Sequence, residues 1–403
     1  MTPSAAGTPP ARRELLILSE HFAPSTAATA QLITDLARGL ARRGHRCRVL
    51  TATAGGPAED LEVVRLGLPR SDGTVAPVGV MAKALHGLLF VLGGFGWCLL
   101  HGRRGQRLLI VSNPPFVGLL GPLLRGLRGM EYLFLFQDLF PRSAALTGVL
   151  PASGPITAAW RALMGWVCRG SVATVVLSEA MARRWRRELG REVPLTVIHN
   201  WAVEQALDIP KRENSLARAW GVSDIFTVQY SGNFGRLHEL LTLLEAARLV
   251  QGEPIRFLFI GGGAKQAQIT AYRDTFALGN VLVKPYQPRE SLPLSLGACD
   301  LAAIGLIPGA EDTVAPSKFY GILASGRGVL LVAQRGCDLA QMVVRQGCGL
   351  VVEPGEVEEL ADALRALAAD PERVRRMGEQ ARRLYRECFG IERSLAAYEQ
   401  LLT

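Results

Sequence analysis

The sequence has no CxxC pair, no GxGxxG and no uncharged apolar run that reaches transmembrane length. Each absence excludes a class. The seven cysteines stand alone at 47, 98, 168, 299, 337, 348 and 388, without zinc-type spacing. They read as small buried hydrophobes in a reducing compartment. Without GxGxxG after the first strand-like run, the first half carries no dinucleotide fingerprint. No RNA-binding aromatic motif is present, so nucleic acid is the weakest of the anionic partners. The opening MTPSAAGTPPARRE is small and polar, and the apolar run after it is short. That predicts a disordered leader over 1–13 rather than a signal peptide. The most apolar window, 85–100, is interrupted by glycines and falls short of the roughly 20 residues that a membrane span needs.

What is present is a chain of 403 residues, 49% hydrophobic, with a net charge of +9. The length allows two domains with large cores. The basic excess points to anionic partners: phosphorylated substrates or acidic lipid head groups.

Glu14 to Ser19 reads as a buried strand, His21 to Thr29 as a loop of small residues, Gln31 to Arg42 as an amphipathic helix and Cys47 to Thr51 as a second strand. This β–loop–α–β opening starts a doubly wound parallel sheet, in which ligands sit beyond the carboxyl ends of strands. His21, Ser25, Thr26 and Thr29 therefore belong to a candidate site loop. Around the apolar stretches of 81–128 stand Lys83, Arg103, Arg104, Arg107, Arg125 and Arg128. Apolar surface edged by cations predicts docking on an anionic membrane, with a buried core helix as the alternative. Tyr132 to Gln137 is strand-like, and Asp138 follows at once. A carboxylate there can meet substrate or cap the next helix. Residues 200–222 hold Pro210 and several charges and are the expected linker.

The second half repeats the pattern. Glycine-containing turns follow residues 230, 260 and 304, all at one edge of one sheet. Converging N–H groups there, with Arg236, His238 and Lys318, suit a diphosphate. In EDTVAPSKFYGILASGRGVLLV (311–332), Ser317 is the expected N-cap and Lys318 the first helical residue. An ordinary αβ unit with a surface lysine would look similar. Domains are expected at 14–205 and 206–380, followed by a last helix at 381–403.

Taken in order, HFAPSTAATAQLITDLARGLARRGHRCRVLT, YSGNFGRLHELLTLLEAA, FLFIGGG and APSKFYGILASGRG resemble the GT-B glycosyltransferases of family 4, in the branch serving bacterial exopolysaccharide and O-antigen synthesis. The resemblance implies two Rossmann-like α/β domains facing a cleft, a last helix (381–403) that packs back on the first domain, and retaining transfer from a nucleotide sugar without a metal; the sequence has no DxD. A UDP-sugar is favoured over a GDP-sugar, no cofactor is expected, and the acceptor is a lipid-linked saccharide at the inner face of the membrane. Carried over by position, Gly232, Asn233, Arg236 and His238 face the donor diphosphate. Gly261, Gly262 and Gly263 line the nucleotide, and Tyr286 lies near the base. Ser317, Lys318, Phe319 and Tyr320 lie over the sugar phosphate and ribose. Asp138, Arg236 and Lys318 are the candidate catalytic groups, with Asp138 taking the acceptor's proton or positioning it. Gln137 stands where many relatives have a histidine. Gly321 replaces a ribose-binding Glu, and the other family Glu falls near Thr313, with Glu311 and Asp312 beside it. Rival readings are a nucleotide-sugar 2-epimerase, a partner subunit without activity and a nucleic-acid binder.

Overall fold

Two all-parallel sheets organise the chain in this computed structural model, which describes residues 14–25, 27–56, 60–66, 80–190, 192–202 and 209–402. The expected leader, Thr26 and positions 203–208 of the expected linker lie outside the described residues.

The first sheet contains β1 (Glu14–Leu18), β2 (Arg46–Thr51), β3 (Glu62–Arg65), β4 (Arg107–Val111), β5 (Glu131–Leu135), β6 (Ala173–Val176) and β7 (Leu195–Val197), in the order β3-β2-β1-β4-β5-β6-β7. The second contains β8 (Phe226–Asn233), β9 (Ile255–Gly262), β10 (Val281–Lys284), β11 (Leu301–Gly305), β12 (Gly328–Val332) and β13 (Gly349–Val352), ordered β10-β9-β8-β11-β12-β13. The central strands read as unbroken apolar runs because helices cover both faces of a parallel sheet. RLLIV of β4 and GVLLV of β12 are buried at every position. Both sheets reverse their winding at a central strand, and ligand crevices open there.

Local chemistry sets the helix starts. Ser178 accepts the Met181 N–H at 3.2 Å and caps the helix Glu179–Leu189, as its sequence position predicts. Ser317 does not behave in the same way. The helix Lys318–Ala324 does begin after it, but Ser317 already has helical dihedrals and its hydroxyl makes no cap bond. The helix Pro155–Gly170, with proline in its first turn, was not anticipated, nor were the edge strands β3 and β13.

The final helix, Ile391–Leu402, buries Leu395, Tyr398 and Leu402 in the core of the first domain. A side chain at Gly39 would lie 2.6 Å from Leu395, so glycine there admits the helix. Arg43 pairs with Glu392 and Glu399, and His45 Nε2 lies 3.2 Å from Glu399 Oε1.

The helix Val80–His101 covers the first sheet but leaves Leu85, Leu88, Leu89 and Leu92 exposed along one face. Leu123 and Leu127 of the neighbouring helix Leu120–Arg128 are exposed too, with Arg125 and Arg128 beside them. Arg107 is buried and pairs with Glu131 at 3.1 Å, so it does not edge this face. The Lys83 side chain lies outside the described residues. No helix of the described residues is long and apolar enough to cross a membrane.

Candidate active site

β8 and β9 pair over their whole length, which sets Gly232 opposite Gly261 and Asn233 opposite Gly262. Glycine is required where these turns nest. Gly232, Gly261 and Gly263 have φ of 118°, 135° and 139°. A Cβ on Gly261 would stand 2.1 Å from the Gly232 carbonyl oxygen, and one on Gly263 would stand 2.4 Å from Asn233 Oδ1. Backbone therefore packs directly on backbone, and the rim stays open to a ligand.

Lys318 closes this rim. Its Nζ lies 3.4 Å from the centre of the Tyr230 ring, and a Cβ on Gly232 would be 3.8 Å from the same nitrogen. The residue as a whole is half-buried, yet the ammonium is sealed and makes no hydrogen bond among the described residues. Burial pushes its pKa well below the ordinary lysine value. Tyr230 is itself buried, with its hydroxyl 2.8 Å from His238 Nδ1 and 3.1 Å from the Asn233 carbonyl. His238 is held neutral: burial first, then the Lys318 and Lys265 charges, pull its pKa down to about 3. Lys265 donates to the His238 carbonyl at 2.6 Å. Arg236 lies on the turn, exposed and without a partner among the described residues.

Tyr286 is 58% exposed and donates its hydroxyl to the Gly262 carbonyl at 3.0 Å, which leaves its ring face open. Glu311 is engaged by backbone: Oε2 accepts from Gly309 N at 2.7 Å and Oε1 from Gln334 N at 3.3 Å. It shapes its own loop. Phe319 and Tyr320 do not line an open rim. Both are buried and pack on Phe389, and the Tyr320 hydroxyl bonds to the backbone at Asn200. Helical spacing turns them inward when Lys318 faces the turn. Ser317 is half-buried. A Cβ on Gly321 would meet only Leu296, at 3.5 Å.

Across the cleft, Asp138 follows β5 and has no side-chain partner among the described residues. It keeps an exposed face, but the protein around it pushes its carboxyl up to about 6. Gln137 beside it has a buried amide nitrogen without a partner among the described residues. His21 Nε2 lies 3.9 Å from Glu20 Oε2 and Ser25 Oγ accepts from Ala27 N at 3.3 Å, but the expected loop ends sooner than its composition predicts: Thr29 is half-buried in the first turn of the helix Ala28–Arg42.

The two halves touch here. Asp138 and Val314 form an isolated antiparallel bridge, and Leu139 N donates to the Thr313 carbonyl at 3.0 Å. Arg142 Nε donates to Thr313 Oγ1 at 2.9 Å and lies 3.4 Å from Asp312 Oδ1. Sequence reading did not single out Tyr230 or Arg142. Strand alternation could have put Tyr230 on a buried face; nothing along the chain could have paired Arg142 with Thr313.

Residues 28–201 match the family model of the glycosyl transferase 4-like domain, and residues 221–384 match that of glycosyl transferases group 1. The chain is 27% identical over 262 residues to the probable glycosyltransferase WbjE of Pseudomonas aeruginosa, covering 64% of this chain and 65% of that one. It is 32% identical over 139 residues to the putative colanic acid biosynthesis glycosyl transferase WcaI of Escherichia coli, covering 34% of each. The chain thus spans less than two thirds of the length of these curated relatives. The crystal structure of Anabaena HepE in complex with UDP-glucose superposes with a TM-score of 0.73 at 14% identity, covering 96% of this chain and 99% of that one. The architecture is GT-B.

Proposed function

The chain belongs to the glycosyltransferases of family 4, and on that premise we propose that it moves a sugar from a nucleotide sugar to a polyprenyl-diphosphate-linked saccharide in bacterial surface polysaccharide synthesis. Transfer is retaining and metal-independent. The observation that carries this reading is the sealed, unpartnered Lys318 ammonium against the Gly232 turn. A diphosphate leaving group gains charge as the glycosidic bond breaks, and fixed donors aimed at that charge lower the barrier. Lys318, Arg236 and the N–H groups of the nested glycine turns are such donors. Tyr286 offers its ring to the base. A UDP-sugar is favoured, in keeping with the UDP-glucose in the HepE structure.

Asp138 positions the acceptor hydroxyl or takes its proton. The exposed leucines of 85–92 and 123–127, edged by Arg125 and Arg128, fit a peripheral site on the inner face of an anionic membrane, where a lipid-linked acceptor resides.

The test is a thermal-shift screen of the purified chain against UDP, GDP, ADP and their sugars, with lipid present. A ligand that binds only the folded state raises Tm by mass action. A shift with one nucleotide, lost in Lys318→Ala and Arg236→Ala, supports the donor site and names its base. No shift with any of them makes the inactive-partner reading the leading one, in line with the missing carboxylate at Gly321.

A further inference from the structure

We propose that Arg142 is a positioning residue, which through Thr313 holds Asp138 in register with the loop that leads to Lys318. This role rests on the sugar-transfer reading above.

The loop 309–314 is anchored from both sides. On its own domain, Glu311 accepts from Gly309 N and from Gln334 N at the end of β12. Toward the facing domain, the fully buried Thr313 accepts at its carbonyl from Leu139 N and at its hydroxyl from Arg142 Nε, and the same hydroxyl lies 3.2 Å from both the Gly309 carbonyl and Asp312 Oδ1 within the loop. Asp312 adds charge to the same joint, with Oδ1 3.4 Å from Arg142 and Oδ2 3.6 Å and 3.9 Å from Arg184 and Arg187. Those last two distances are attraction through space rather than hydrogen bonds.

Asp138 itself bridges Val314, and Lys318 lies four positions further on. The candidate acceptor-side group and the candidate phosphate cation are therefore joined by one short, doubly anchored segment. Arg142 touches neither reacting partner. It acts by fixing where Asp138 stands, and reaction rates fall steeply when reacting groups leave near-attack geometry. A hydrogen bond from a charged donor to a buried hydroxyl is also among the stronger ones.

The test compares wild type, Arg142→Ala, Arg142→Lys, Thr313→Val and the Arg142→Ala/Thr313→Val double variant, as full chains. Thr313→Val is nearly isosteric and removes the hydroxyl's bonds to Arg142, Gly309 and Asp312, so it reports on this joint even where Arg142→Ala folds poorly. Nucleotide Kd is expected to stay within about twofold of wild type. kcat for transfer is expected to fall about 10- to 100-fold in either single variant. Arg142→Lys recovers part of the loss, because it keeps a charge beside Asp312. The double variant should lose less than the two single losses combined, since both break the Arg142–Thr313 bond. Spin labels on Arg103→Cys and Val344→Cys, in a Cys337→Ser/Cys388→Ser background, should show a broadened interdomain distance in Thr313→Val. Unchanged kcat and distance in Thr313→Val, additive losses, or a loss confined to nucleotide Kd would overturn the proposal while transfer by wild type stands. A wild-type chain that transfers nothing overturns the sugar-transfer reading, and this role with it.

Discussion

Lys318 Nζ rests 3.4 Å above the centre of the Tyr230 ring, and that ring is the nearest thing it has to a counter-charge. A cation over an aromatic face is attracted by the ring quadrupole, worth about 2 kcal/mol when desolvated. This is far less than a carboxylate would offer. The site thus gives its lysine no counter-charge, and burial disfavours the charged form until an anion arrives to pair with it.

Lys318→Met should separate stability from function. Replacing a buried, unpaired cation with an apolar chain of similar length is expected to leave the protein as stable or raise it by about 1 kcal/mol, as read from urea melts. Nucleotide-induced thermal shifts should vanish in the same variant. The folded state depresses the lysine pKa, so the unfolded chain binds that proton more tightly. Wild type should therefore gain stability as pH climbs toward the ordinary lysine value of 10.5. The Met variant should lack that gain; an identical slope in both would remove Lys318 as its source.

Asp138 gives a second pH signature. Its carboxyl titrates at about 6 in the folded chain against 3.8 for the free group. The stabilisation of the protonated form is complete below pH 3.8 and is lost as pH rises through about 6. At neutral pH the charged carboxylate therefore costs stability. Because this side chain faces water, Asp138→Asn is expected to gain less than about 1 kcal/mol. The kcat/KM for transfer should rise with pH through about 6 in wild type and be about 100- to 10,000-fold lower in the variant. His238, with its pKa near 3, contributes no limb in that window. A flat profile between pH 5 and 7 would remove the proton-taking role.

The nested turns should not tolerate a side chain. Gly261→Ala brings a methyl to 2.1 Å from the Gly232 carbonyl, which is backbone and cannot swing aside. A loss of about 3 kcal/mol or more is expected, measured by denaturant unfolding. Gly263→Ala also strains a backbone at φ 139° and comes within 3.0 Å of the Phe234 backbone, but its shortest contact is Asn233 Oδ1, the end of a side chain that can rotate away. It should cost less stability and act chiefly on nucleotide affinity.

The exposed leucines make a surface prediction. Wild type should sediment with vesicles containing an anionic phospholipid, and less so as salt rises. Leu92→Glu and Leu127→Glu each place a charge on that face and should weaken binding about tenfold or more without lowering Tm. Unchanged sedimentation in both would assign the face to another partner.

Much of this was legible along the chain. Apolar runs of four to six residues between turn signals marked the central strands, since a strand buried on both faces needs an unbroken apolar run. The glycine turns after residues 230, 260 and 304 were legible for the same local reason: glycine readily reaches the backbone conformations at 232, 261, 263 and 309. β3 was not, because EVVR is short, half-buried and begins with a charge. Ser317 shows the limit of cap signals: the residue type was right and the dihedral was not.

The sequence by itself determined two doubly wound domains, a basic excess and the glycine-rich rim with Lys318 nearby. These depend on spacing within a few residues. Tertiary structure alone decided that Lys318 would lie over Tyr230, that Phe319 and Tyr320 would turn into the core, and that Thr313 would be held by Arg142. Those contacts join positions 88 and 171 residues apart in two of the three cases. No periodicity spans such separations. The Lys318–Tyr230 contact exists because neighbouring strands of the second sheet bring their carboxyl ends together, and the Arg142–Thr313 contact because the two domains meet there; the energy that selects each pair comes from burial and charge at the meeting point rather than from either segment alone.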